Sequence, residues 1–190
     1  MAELTPLGIA VLALLEERPM HAYEMYQVLM KRRNDRLVKV RPGSLYHTVE
    51  RLAEQQLVEA TGIDRDGNRP ERTTYAITAD GQAALIRRVR EGIAAPVYEY
   101  PLFPVVLSEV HNLERDDALH RLRSRLDDLD LQLEELDEAV AEVRARGVPE
   151  PFWLAADYNR VQLASQRDWL KTVIDRIESK DLPWLHRSKK

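Results

Sequence analysis

Apolar residues at Leu7, Val11, Leu14 and Leu15 recur at the spacing of one helical face. They follow Thr5 and Pro6, residue types favoured at a helix N-cap and first position, so the pattern predicts a helix that ends near Pro19. Tyr23, Met25, Tyr26, Val28 and Leu29 place a second helix between about Met20 and Asn34. A Pro42-Gly43 turn opens a third, roughly Ser44 to Gln56. The period then shortens to two. Leu57 to Ile63 and Arg72 to Ile77 have strand composition, and Thr73, Tyr75 and Ile77 alternate with Arg72, Thr74 and Ala76. Asp66-Gly67-Asn68 and Pro70 supply the turn, which makes a hairpin with a charged tip. Thr78 caps a further helix through Asp80, Ala83, Leu85, Ile86 and Val89.

Beyond Ala94 the segment PVYEYPLFP gathers prolines and aromatics and breaks that helix, so a domain boundary is expected there, with domains at 1–93 and 94–190. Leu119, Leu122, Leu126, Leu129, Leu133, Leu136, Val140 and Val143 follow the alternating three- and four-residue steps of a heptad seam. Such a stripe must face another helix, and a dimer interface is its expected role. Gly147-Val148-Pro149 ends it, and a last helix runs from Pro151 to about Lys180. The predicted fold class is mainly α with a small β-hairpin wing: an N-terminal winged helix-turn-helix followed by a C-terminal antiparallel helical dimerisation domain.

The 190 residues, 44% of them hydrophobic, suffice for a buried core. With no cysteine there can be no disulfide, thiolate metal site or cysteine nucleophile, which fits a reducing cytoplasm. The apolar run TPLGIAVLALL is too short to cross a bilayer and follows Glu3 rather than a basic segment, so it reads as a buried helix. A net charge of −4 argues against a polyanionic partner until its distribution is considered. From Lys31 to Arg51 seven bases (Lys31, Arg32, Arg33, Arg36, Lys39, Arg41 and Arg51) stand against Asp35 and Glu50. The acidic protein carries one basic strip, and it leads into the third helix.

At about 100° per residue from Leu45, Val49 and Leu52 lie within about 40° of it and define the buried side of the third helix. Ser44, Arg51, His47 and Glu54 fall opposite, with Tyr46 and Thr48 on the flanks. Small and hydrogen-bonding side chains at a helix N-terminus suit close approach to DNA, since exposed amides attract phosphate and an arginine can reach a guanine edge. Gly43 permits that approach. Any soluble helix has a polar outer face, so the order of elements decides: three helices, a basic approach to the third, a hairpin and a capped helix make the winged helix-turn-helix, whose third helix enters the major groove while the wing reaches phosphates or the minor groove.

Three segments, LTPLGIAVLALLEERPMHAYEM, RPGSLYHTVERLAEQQLVE and ERTTYAITADGQAAL, resemble the PadR family of bacterial transcriptional regulators over about the first ninety residues. The Gly-Ser-Leu-Tyr and Tyr-x-Ile-Thr-x-x-Gly runs are the most specific parts, and the long C-terminal region resembles the larger subfamily with a helical C-terminal dimerisation domain. Where the family usually has proline after the tyrosine this chain has His47, and where it often has glycine before Tyr23 it has Ala22; the first departure bears on DNA-site specificity. The resemblance implies a cytoplasmic homodimeric repressor on a roughly palindromic operator of double-stranded DNA, with half-sites about 10 bp or a multiple apart, released by a small-molecule effector.

The expected DNA contacts are Ser44, Tyr46, His47, Thr48 and Arg51 on the third helix, Lys39 and Arg41 before it, His21 at the start of the second, and Arg65, Asn68, Arg69 and Arg72 on or beside the wing. Tyr98, Tyr100, Phe103, Trp153, Tyr158 and Trp169 are candidate walls of a pocket for a planar aromatic effector, against the alternative that they fill core space. His111 and His120 lack metal-ligand spacing, and with no phosphate loop or nucleophile motif the chain is expected to be a non-enzyme with neither metal nor cofactor. One reading of a different kind stays open at this level: a winged-helix interaction module that binds a partner helix instead of DNA.

Overall fold

The first turn of α1 (Pro6–Glu17) is closed by its cap, the Thr5 hydroxyl accepting the Gly8 N–H at 3.2 Å with Pro6 at the first helical position. In the computed structural model, which describes residues 3–64, 72–95 and 99–184, the chain divides into two compact units, Met1–Glu99 and Tyr100–Lys190.

In the first unit α1, α2 (Ala22–Lys31), α3 (Pro42–Glu54) and α4 (Ala79–Ala94) surround a core of Val11, Leu12, Met25, Leu29, Leu45, Val49 and Leu52, each essentially inaccessible to solvent. The expected start of the second helix is corrected: Met20 and His21 form a short strand, β1, and the helix begins at Ala22. β1 pairs antiparallel with β3 (Arg72–Ile77), which pairs on its other edge with β2 (Val58–Asp64), giving the order β1-β3-β2 with an irregularity between Ala60 and Gly62. Two residues are too few for a period-2 signal, so β1 was hidden inside a helical pattern.

The end of α3 matters because it sets the wing against the helices. Gln56 takes a left-handed conformation (φ 60°), and the Gln56 and Leu57 N–H groups donate back to the Ala53 and Leu52 carbonyls, both at 2.9 Å. This turn brings the Leu57 carbonyl to the start of α4, where it accepts the Thr78 N–H at 3.1 Å. The Thr78 hydroxyl donates to the Gln56 carbonyl at 2.8 Å and accepts the Gly81 N–H at 3.0 Å, so one cap residue joins α4 to the turn. Gly81 sits against it: a Cβ there would lie 2.1 Å from the Leu57 carbonyl oxygen.

Two ion pairs brace this unit from outside. Arg32 at the end of α2 donates to both carboxylate oxygens of Glu17 at the end of α1, one contact at 2.8 Å, and Arg18 pairs with Glu24. The hydrogen bond from Arg32 holds the Glu17 carboxyl below its ordinary value of 4.5, and that from Arg18 does the same for Glu24. A lowered carboxyl contributes stability above the ordinary glutamate range and loses it as pH falls through the lowered value. The Arg32–Glu17 pair is about half exposed on both sides, so it is worth at most about 1 kcal/mol. Glu17→Gln is therefore expected to lower the melting temperature slightly at pH 6, and the gap to the unmodified protein should close as pH drops from about 5 to 3.

The second unit holds α5 (Leu102–Ser108), α6 (Arg115–Ala145) and α7 (Leu154–Glu178). α6 and α7 run antiparallel: Arg115 at the start of α6 donates to the Ile177 carbonyl at 3.0 Å, Arg123 pairs with Glu178, and farther along Asp130 and Asp137 lie near Arg167 and Arg160. Leu119, Leu122 and Leu129 pack with Leu170, Ile174 and Ile177, while Leu126, Leu163 and Val173 fill in around them. The prolines around α5 hide it in the sequence, although Pro104 in a first turn costs no helical hydrogen bond.

Candidate DNA-binding surface

α3 begins two residues earlier than its sequence suggests. Pro42 occupies the first helical position, so Ser44 lies inside the first turn and does not act as the cap. The first bond of the ladder joins the Leu45 N–H to the Arg41 carbonyl at 3.0 Å, leaving the Gly43 and Ser44 N–H groups outside it. Ser44, Tyr46 and His47 are exposed, as are Lys39 and Arg41 before them, and a Cβ added at Gly43 would meet nothing within 4 Å. The outward end of the helix therefore offers two amides, a hydroxyl, a phenol, an imidazole and two cations, while Leu45, Val49 and Leu52 anchor its opposite face. His47 stands 3.9 Å from Glu50, one turn on.

One of the expected contacts is corrected, and a second also serves the fold. Thr48 is only 6% exposed and its hydroxyl donates to the Ser44 carbonyl at 2.7 Å, so it belongs to the helix interior. Its angle lay about 60° from Leu45, inside the arc that the core covers once neighbouring helices pack. Arg51 is half-buried and donates to the Thr5 hydroxyl at 3.1 Å, tying α3 to the cap of α1. Its guanidinium is engaged in the fold, as is that of Arg32 in the basic strip.

His21 caps α2, its Nδ1 accepting the Glu24 N–H at 3.1 Å, which leaves the ring proton on Nε2 in the neutral form. Its ring stacks near Tyr23, with centroids 6.5 Å apart, and the Arg72 guanidinium lies 5.6 Å from the Tyr23 ring centroid. Together with Glu24 and Gln27 these residues line an open hollow of about 580 Å³. Tyr23 and Gln27 carry no site signal in the sequence, since Tyr23 belongs to a helical apolar pattern, yet it is 46% exposed. Arg65, Asn68 and Arg69 lie outside the described residues.

In the second unit the heptad residues are spoken for. Leu119, Leu122, Leu129, Leu133 and Val140 are buried and Leu126, Leu136 and Val143 half-buried within a single chain, where α7 supplies the facing helix. Leu119, Leu122, Leu126 and Leu129 thus find their facing helix within one chain. Among the exposed apolar residues of this unit, four share the far side of α7: Leu154, Tyr158, Val161 and Trp169 are all at least 46% exposed and fall within about 80° of arc. A helix with apolar residues on two opposite faces is the signal that could have found them.

Two of the aromatic candidates are corrected as walls of one pocket within a single chain. Phe103 lies beneath the Arg125 guanidinium at 3.6 Å, and buried Trp153 lies beneath that of Arg144 at 4.6 Å while donating from Nε1 to the Val148 carbonyl. Those two arginines are separated by about 28 Å along α6 at 1.5 Å per residue, so the two rings cannot wall one pocket in one chain. Tyr100, Tyr158 and Trp169 are exposed, and Tyr98 lies outside the described residues.

Helices α1 to α3, the β1-β3-β2 sheet and α4 define a winged helix-turn-helix protein. Residues 11–87 match the model of the transcriptional regulator PadR-like family. The fold is shared with the PadR of Bacillus subtilis solved in complex with operator DNA (TM-score 0.77, 16% identity, covering 89% of this chain and 96% of that one). It is shared also with the same protein in complex with p-coumaric acid (TM-score 0.75, 15% identity, 90% and 97% covered) and with a PadR-like transcriptional regulator from Bacillus cereus (TM-score 0.66, 14% identity, 93% and 99% covered). No curated protein sequence matches this chain. None of the described helices is long and apolar enough to cross a membrane.

Proposed function

We propose that this protein is a cytoplasmic, sequence-specific DNA-binding regulator that works as a homodimeric repressor, leaving a roughly palindromic operator when a small planar aromatic molecule binds. The observation that carries the reading is the outward end of α3, where Lys39, Arg41, Ser44, Tyr46 and His47 are exposed together on a helix whose other face is fully buried. That end enters the major groove, with Lys39 and Arg41 on phosphates and Ser44, Tyr46 and His47 toward base edges. The second copy is proposed to cover Leu154, Tyr158, Val161 and Trp169 on α7. In support of the effector, the PadR of Bacillus subtilis was solved with p-coumaric acid, and Tyr158 and Trp169 are aromatics on the face assigned to the partner.

The test is binding to promoter DNA followed across salt concentration. Replacing Lys39 and Arg41 together by alanine should reduce the slope of log K against log salt by about 1.8, roughly 0.9 per lost phosphate contact. An unchanged slope would remove the groove assignment. Gly43→Ala separates folding from binding: with open space around the new methyl and glycine's entropic cost removed, the free protein should gain up to about 1 kcal/mol while operator affinity falls. Equal or tighter binding by this variant would show that α3 does not approach DNA closely at its first turn.

A further inference from the structure

We infer that the hollow between α2 and the base of the wing seats one phosphate of the DNA backbone, held by Tyr23, Gln27 and Arg72 with His21 beside them. This rests on the DNA-binding reading and adds a second anchoring point that does not read bases. The pairing of β1 with β3 creates the site: His21↔Thr74 register brings the start of α2 alongside the strand that carries Arg72, so a helix and the wing contribute to one concavity. Its lining is rich in donors. The Arg72 guanidinium, the Gln27 amide, the Tyr23 hydroxyl and the Nε2–H left on His21 by its capping bond can each donate to phosphate oxygens.

The carboxylate in the lining, Glu24, would repel a phosphate if unneutralised. It is instead gripped by Arg18 from outside the hollow, which leaves Arg72 as the charge that a bound anion meets. The Tyr23 ring has a separate part, since its face lies against the Arg72 guanidinium and it stacks nearly parallel to His21, fixing the arginine's position relative to α2. Tyr23 is thus both a ligand, through its hydroxyl, and a positioning residue, through its ring. About 580 Å³ of open space accommodates a phosphodiester with its flanking sugars.

A methylphosphonate scan of a bound duplex tests this, using the full chain and its Tyr23→Phe, Tyr23→Leu, Gln27→Ala and Arg72→Gln variants. Neutralising the seated phosphate should weaken the unmodified protein about tenfold, whereas the same substitution should cost Arg72→Gln less than about twofold and Tyr23→Phe, which keeps the arginine, an intermediate factor of about three to five. Arg72→Gln should lower the salt slope by about 0.9 and Tyr23→Phe should leave it unchanged, because only the first removes a charge. Tyr23→Leu, which loses ring and hydroxyl, should resemble Arg72→Gln in affinity. All variants should weaken specific and random duplexes alike, as expected of a contact that carries no sequence information.

The inference is overturned if the variants bind more weakly yet lose as much as the unmodified protein at every methylphosphonate position, since the residues would then act on the fold alone. Competition by inorganic phosphate at this hollow with no responsive position in the duplex would mark a free-anion site and overturn it equally. If the unmodified protein binds no duplex at low salt, the DNA-binding reading falls and this one with it, an outcome distinct from binding that the seat does not share.

Discussion

Replacing Gly81 by alanine is expected to destabilise the N-terminal unit by about 2–3 kcal/mol, against the usual gain of up to about 1 kcal/mol for alanine over glycine in a helix. The reason is local and severe. The added Cβ would stand 2.1 Å from the Leu57 carbonyl oxygen and 2.8 Å from the Ile77 side chain, and the carbonyl cannot retreat. It accepts the Thr78 N–H, its own residue donates to Leu52, and the preceding Gln56 carbonyl is bonded to the Thr78 hydroxyl. Relief therefore requires breaking the cap of α4 or the turn that closes α3. For a unit of this size the loss corresponds to a fall in its melting transition of about 10–20 °C by calorimetry, with β2, β3 and α4 loosening together. A melting temperature within about 2 °C of the unmodified protein would show that the close approach at Gly81 is not part of the fold. Gly43→Ala is the matched control, a glycine in the same unit whose Cβ would meet open space.

These two glycines also show what the sequence could and could not say. Gly43 reads in the sequence as a turn before a helix, whereas it lies in the first turn of α3 itself, and its freedom from neighbours agrees with a surface left open. Gly81 was visible as part of the Tyr-x-Ile-Thr-x-x-Gly run, but its cause was not, because the Leu57 carbonyl comes from a turn closed by Gln56, a residue that does not advertise a left-handed conformation. Helices with strong 3.6-residue patterns, and caps such as Thr5 and Thr78, were readable in type and place because both signals are local. β1 was not, since two residues acquire strand character only from the partner strand.

On the candidate surface the exposed positions Ser44, Tyr46 and His47 followed from helical angle alone. Thr48 and Arg51 did not, because their fates depend on bonds to Ser44 and to Thr5, forty-six residues away in the case of Arg51. The same limit explains the heptad seam. Its periodicity states that α6 needs a facing helix, and periodicity cannot distinguish a helix of the same chain from one of a partner. Once α7 fills that seam, the question of what a second copy would touch passes to the other side of α7.

That side carries the second large expected effect. Val161 lies at the middle of the stripe formed by Leu154, Tyr158, Val161 and Trp169, each exposed in the single chain. A contiguous apolar face of this kind on a surface helix is an interaction site more often than an accident. Val161→Asp places a charge there without touching Leu170, Ile174 or Ile177, which hold α7 to α6 on its opposite face, so the chain should stay folded. Burying that carboxylate in an interface without a partner costs several kcal/mol, enough to dissociate a dimer at micromolar concentration. Light scattering should therefore find the unmodified protein at twice 22.0 kDa and the variant at 22.0 kDa, with circular dichroism unchanged. Operator affinity should fall by about 10²–10⁴, the advantage of holding two half-sites at once, while binding to a single half-site stays the same. Leu129→Asp provides the contrast, because a charge inside the α6–α7 seam should unfold the second unit instead of merely separating copies. A variant at Val161 that remains twice 22.0 kDa would move the proposed interface off this face of α7 and leave the stripe to some other partner.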